Sequence, residues 1–278
     1  MRRLALVVFW VGVALFLVAQ ASPLVNRVSE DESTLVYDGW RVATGQIPYR
    51  DFFQFVPPGT FGVLAPALAL FPSRPETAAR YLLIALLLGA SFVLGLAVER
   101  AGASRVCALG LAALGPVILF PMAPFSLHHW FALATAVGAI AVLSQTWTGS
   151  EVVWPWICGG VLTGAAGLFV QTDGLLCGIF ALLTALGTAQ SLRGLMRRLG
   201  LLFAGTVAIL ALAFVPLAFT GALPDFWRDV VLWPLSHYRK PGNINDVPFL
   251  GDFPERLVGH WNAGGDGVGF LFLAAAKT

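Results

Sequence analysis

Charge is what this chain lacks. Asp, Glu, Lys and Arg make up only 12% of its 278 residues, against 58% hydrophobic, where a water-soluble domain carries roughly 25% charged residues. With half the usual polar coat, and a mean hydropathy of +0.79, the chain cannot cover a water-facing globule. Its net charge of +2 is too small to call for a nucleic-acid partner, and no basic stripe with interleaved aromatics occurs. Cysteine is also scarce. Cys107, Cys158 and Cys177 lie inside apolar runs at spacings that suit neither zinc nor a disulfide framework, and they read as small packing residues. Neither G-x-S-x-G nor G-x-x-x-x-G-K-[ST] is present, so nucleophile-elbow and P-loop chemistry find no support. No internal repeat and no low-complexity linker divides the chain, which reads as one domain over 1–278.

Long apolar runs are what it has. They cover about 4–19, 80–98, 104–121, 130–146, 153–171, 174–190 and 199–219, several near the ~20 residues that cross a hydrocarbon core. The expected fold is therefore all-α, a polytopic transmembrane helical bundle. Met1-Arg2-Arg3 before the first run, with Ala19-Gln20-Ala21 after it, imitates a cleaved signal peptide. That run is long for a signal peptide and more spans follow, so it reads as an uncleaved first span. Residues 59–71 are apolar but hold Pro66 and stop at Pro72. Some 13 helical residues rise only about 20 Å, short of a ~30 Å core, so this run reads as a partial helix on the outer face. A last run, 268–276, begins a span without finishing it, as in the front part of a longer protein.

Sidedness follows from the basic loops. Arg193, Arg197 and Arg198 mark the cytoplasm, and counting back puts Arg100 and Arg105 there too. The outer face then collects the polar stretches 26–58, 121–129, 171–174 and 221–267. Arg74 and Arg80 are the exceptions, two cations this count leaves outside.

Three of the 15 acidic residues stand in a row, Glu30, Asp31 and Glu32, directly after the first span. Ser33 reads as the N-cap of a short interfacial helix over 33–44, with Gly45 ending it. The acidic row is thus pinned between a span and an interfacial helix. An acidic cluster there is costly unless solvated or used. Crowding three carboxylates also raises the pKa of at least one, which suits a general base or a shared divalent ion. Pro48-Tyr49-Arg50-Asp51-Phe52-Phe53 then returns the chain to the bilayer, and Pro57-Pro58-Gly59 opens the partial helix.

Three further stretches carry polar chemistry. His128 and His129 in the second outer loop are candidates for a metal ligand, a proton carrier or a donor to phosphate, or else a plain interface turn anchored by Trp130. Asp173 either faces an outer cavity or caps a helix starting at Gly174. Arg239 and Lys240, beside Tyr238, offer cations at headgroup depth for a lipid phosphate, or simply snorkel toward anionic lipid.

The acidic pair, then Y-D-G-W-x-x-x-x-G-x-x-P-Y-R-D-F-F and P-P-G, resembles the polyprenyl-phosphate-dependent glycosyltransferases of the GT-C type. These include the protein O-mannosyltransferases and the aminoarabinose transferases acting on lipid A. The similarity runs through about the first 60 residues, and over the rest as architecture. It implies transfer of a sugar from a polyprenyl-phosphate lipid to an acceptor hydroxyl at the outer face of a bacterial cytoplasmic membrane. It also implies that Asp31 is the general base, with Glu32 its acidic partner and Glu30 the rival one position off. Arg50, Tyr49, His128, His129, Tyr238, Arg239 and Lys240 become substrate-binding candidates. Asp31, Glu32 and His129 become candidates for a divalent metal. Relatives often place a second acid in the loop that here holds the histidines, and this chain has none. A transporter, or a non-catalytic or truncated membrane protein, is the competing reading. Transporters put ionisable residues at mid-membrane with repeated halves, and here the charges fall at the ends of spans.

Overall fold

The computed structural model describes residues 2–22, 28–122, 124–148 and 152–237. Two units separate, Met1–Val230 and Val231–Thr278. In the second, the described part is a helical turn, Trp233–His237. Its Trp233 ring stacks on His237 at 4.5 Å, and Ser236 Oγ donates to the Trp233 carbonyl.

The first unit is an all-α bundle, as the apolar runs imply. Its helices are α1 (Arg2–Gln20), α2 (Glu30–Ala43), α3 (Gly59–Leu70), α4 (Pro75–Arg100), α5 (Arg105–Leu119), α6 (His128–Ser144), α7 (Trp154–Phe169), α8 (Gln171–Thr188), α9 (Leu192–Phe219) and the short α10 (Leu223–Phe226). A π-helical stretch, Trp227–Leu232, follows. Four helical segments are long and apolar enough to cross a membrane: Pro75–Arg100, His128–Trp147, Gln171–Thr188 and Leu192–Phe219. Large apolar side chains such as Leu175, Leu183, Phe203 and Leu212 point outward from them. That is the reverse of a water-soluble surface and the pattern a bilayer accommodates.

Side-chain contacts fix which helix ends lie together. Arg100 donates to Gln145, joining the ends of α4 and α6. Arg198 donates to Thr188 and stacks over Trp156, joining the start of α9 to the end of α8 and the start of α7. This end also carries Arg105, Arg193 and Arg197 and is called here the basic end. At the opposite, cap end, Arg80 near the start of α4 reaches Ala21 after α1 and Glu32 in α2. The Phe131 ring of α6 stacks on Phe169 of α7 at 5.5 Å there.

Both ends of α3 lie at the cap end. A Cβ on Gly59 would stand 2.5 Å from the Leu168 carbonyl oxygen of α7, while Leu64 and Leu68 pack against Gly39 of α2. With 12 residues, α3 is shorter than the ~20 residues that cross a hydrocarbon core.

Beneath α2 and α3 sits the main core, with Leu17, Leu64, Leu68, Leu83, Phe120 and Phe131 all nearly or wholly buried. Between α7 and α9 the backbones come unusually close. A Cβ on Gly160 would meet the Leu202 carbonyl oxygen at 2.1 Å, and one on Gly205 the Ile157 oxygen at 2.2 Å. Thr206 Oγ1 uses that closeness to donate to the Gly160 carbonyl, the way small residues let apolar helices associate where no hydrophobic effect drives them.

Candidate active site at the start of α2

The acidic row is not a loop preceding a helix. It is the helix's first turn. Ser29, not Ser33, is the N-cap, and its Oγ accepts from the Glu32 amide at 3.1 Å. Glu30, Asp31 and Glu32 thus lie where the positive end of the helix dipole favours anions. Placing the cap four residues late hid this. An acidic turn before an apolar stripe is itself a start signal.

The three carboxylates have different surroundings. Glu32 is fully buried and faces Arg80, also fully buried. Arg80 Nε donates to Oε1 at 2.8 Å and Nη2 to Oε2 at 2.6 Å. Oε1 also accepts the Ser126 amide at 2.7 Å, and Arg80 Nη1 donates to the Ala21 carbonyl at 2.9 Å. The pair therefore ties together the exit of α1, the start of α2, the start of α4 and the loop before α6. Glu32 does not fit the metal-ligand role expected of it, because both its oxygens are committed. Arg80 also relieves the carboxylate crowding foreseen from the sequence. Glu30 and Asp31 stay exposed on the same turn.

Around Asp31 the structure gathers part of the second loop. His128 is half-buried and interacts electrostatically with Asp31. Its ring lies 4.1 Å from that of His129, which is exposed. Two buried polar atoms here, Ser126 Oγ and His128 Nδ1, have no hydrogen-bond partner among the described residues. Buried polar atoms are nearly always satisfied, and these two stand out beside the acidic turn. Among the described residues no three His, Cys, Asp or Glu side chains cluster together. Of the expected ligands, Asp31 and His129 remain accessible.

Tyr49 and Arg50 lie elsewhere. Asp31 and Val42 are separated by about 16 Å of helix rise along α2, and the Pro48–Phe52 bridge belongs to the far end. Tyr49, in the left-handed region at φ 70°, is buried and donates its hydroxyl to the Val56 carbonyl at 3.0 Å. Its hydroxyl is thus spent inside the fold, away from the acidic turn. Burial drives its phenol well above the ordinary value, and the nearby charges of Asp229 and Asp38 add to this. Arg50 is exposed but pairs with Asp51 at 2.9 Å and donates to the Thr220 carbonyl at 3.3 Å. It lies near no acidic-row residue.

The quoted motif proves to be a folding knot. Asp38 accepts from Gln54 at 2.6 Å, while Gln54 Oε1 takes the amides of Phe55 and Val56. Arg41 donates to Gln46 and to the Asp51 carbonyl and lies 4.2 Å over the Phe52 ring. Next to it, α3, α7, α9 and the 45–48 turn line an open, largely apolar cavity of about 490 Å³, with Phe61, Leu168, Leu212 and Thr220 among its walls.

Asp173 lies half-buried in the first turn of α8, which begins at Gln171 rather than at Gly174. Tyr238, Arg239 and Lys240 fall outside the described residues. Sequence reasoning missed Arg80 and Ser126. A lone arginine inside an apolar run was the available signal, since such a charge is expensive without a partner. No family model, curated protein or solved structure matches the chain.

Proposed function

We propose that this chain is a membrane-embedded glycosyltransferase of the GT-C type, taking a sugar from a polyprenyl-phosphate donor to an acceptor hydroxyl at the outer face of a bacterial cytoplasmic membrane. One observation carries the reading. The chain spends a buried arginine on neutralising Glu32 and leaves Asp31, one residue away, exposed beside unsatisfied Ser126 and His128. A charged turn meant only to cap a helix gains nothing from that arrangement.

In this reading Asp31 accepts the proton of the acceptor hydroxyl as its oxygen attacks the anomeric carbon. The bond from that carbon to the phosphate oxygen breaks on the opposite face, and polyprenyl phosphate leaves with the electron pair. The sugar passes through an oxocarbenium-like state and its configuration inverts. Ser126 and His128 supply hydrogen bonds to sugar or phosphate. Glu32 and Arg80 hold the turn that carries Asp31 and do not exchange protons with substrate. A polyprenyl tail has an apolar groove available in the cavity between α3 and α9. A divalent ion, where used, would draw on Asp31 and His129.

The test is sugar transfer from radiolabelled polyprenyl-phosphate sugars in membranes containing the protein. Label leaving the donor only when the chain is present supports the reading. Donor left intact by well-folded protein, across sugars and acceptors, would remove it.

A further inference from the structure

At the basic end, far from Asp31, a second polar feature has no part in the proposed chemistry. A small cavity of about 60 Å³ lies between the starts of α7 and α9, walled by Val153, Trp156, Gly194, Arg197, Arg198 and Leu201. Arg198 is held in place: its Nη1 donates to Thr188 Oγ1 at 2.8 Å and its guanidinium lies 5.2 Å over the buried Trp156 ring. Thr188 in turn donates to the Thr184 carbonyl, so the threonine is itself fixed. Arg197, exposed on the next position, makes no hydrogen bond or ion pair among the described residues, and neither does Arg193 one turn earlier. Glu151, directly before the cavity-lining Val152, is outside the described residues. Three cations thus crowd the first two turns of a helix apolar enough to cross a membrane. They also stand at a helix N-terminus, which favours anions and disfavours cations. Unrelieved, that placement is unfavourable, and an anion at the cavity would relieve it.

We propose that Arg197 and Arg198, with Trp156 as the platform beneath Arg198, bind the phosphodiester headgroup of an anionic membrane lipid at the basic end. A planar guanidinium suits phosphate oxygens. The cavity is small, so it takes part of a headgroup rather than a whole lipid. The exposed apolar side chains on the same helix, Leu192, Met196 and Phe203, give the acyl chains a surface to lie along. A basic cluster at the cytoplasmic ends of spans is where anionic lipid concentrates.

The test uses the whole chain purified in detergent. Dioleoyl phosphatidylglycerol, dioleoyl phosphatidylcholine and inorganic phosphate are titrated separately, with thermal unfolding and native mass spectrometry as readouts. Phosphatidylglycerol is expected to raise the unfolding midpoint and stay bound through delipidation, while phosphatidylcholine and phosphate do neither. Arg197→Gln together with Arg198→Gln should weaken the phosphatidylglycerol effect about tenfold or more. Arg105→Gln, a cation of the same end already paired with Glu99, should leave it intact. Arg197→Gln alone keeps the bond of Arg198 to Thr188, so it carries the test if the double variant fails to fold. An equal response to phosphatidylcholine, or an equal loss in Arg105→Gln, would overturn the site. Stabilisation by inorganic phosphate as strong as by the lipid would overturn the lipid assignment. None of these outcomes depends on sugar transfer.

Discussion

The acidic turn divides its work between neighbours. Glu32 is structural, and removing either partner of a buried ion pair leaves an uncompensated charge at a cost of about 3–5 kcal/mol. Glu32→Gln and Arg80→Met should each lower the unfolding temperature in detergent clearly, and the double variant should recover part of the loss. Additive losses would mean the two do not act as a pair. Asp38 behaves in the opposite sense. Burial raises its carboxyl above the ordinary value, against the hydrogen bond from Gln54 and the charge of Arg41. A raised folded-state value means the native chain binds the extra proton. The stability Asp38 contributes is therefore complete below pH ~3.9 and lost as pH rises through the folded value. Asp38→Asn, which can still accept from Gln54, should hold or raise the unfolding temperature at pH 7 and give no gain at pH 3. A loss at pH 7 would show that the carboxylate is held charged for a purpose.

At the scale of helices, what was legible in the sequence were the runs themselves. Apolar stretches at 104–121 and 153–171 became α5 and α7 within two residues, because long apolar periods have few ways to fold. The starts of α2, α8 and α9 were not legible. α2 and α8 open on polar residues and the first turns of α9 carry three arginines, so a window that seeks apolar character enters late, at Ser33, Gly174 and 199. Close packing was also hidden, since a glycine in an apolar run looks the same whether it faces lipid or a neighbouring backbone. Gly160 and Gly200 separate the two cases. Gly160→Ala puts a methyl against the Leu202 carbonyl and should destabilise by about 1–3 kcal/mol or more. Gly200→Ala meets nothing within 4 Å and should be neutral, or stabilise through helix propensity by up to about 1 kcal/mol. Thermal unfolding of the two variants in one detergent checks the contrast. Equal effects would place the α7 and α9 contact elsewhere.

For the molecule as a whole, the two-ended distribution of polar groups follows the basic loops, and of the two cations which that count leaves outside, Arg80 is accounted for as the partner of Glu32 while Arg74 is not. No sequence spacing connects Arg80 to Glu32, 48 positions apart. The sidedness predicts that a cysteine at position 129 is labelled by an impermeant reagent from outside intact cells and one at position 105 is not. The reverse pattern would invert the map and put Asp31 in the cytoplasm. The central claim is that Asp31 performs chemistry while its neighbours hold it, and the rate of sugar transfer by Asp31→Asn tests this most directly, with Glu30→Gln beside it and both normalised to folded protein. Asparagine keeps shape and hydrogen bonding but removes basicity, so transfer should fall about 10²–10⁴-fold with the unfolding temperature unchanged, while Glu30→Gln transfers at close to the native rate. A folded Asp31→Asn that transfers sugar as fast as the native chain would contradict the account.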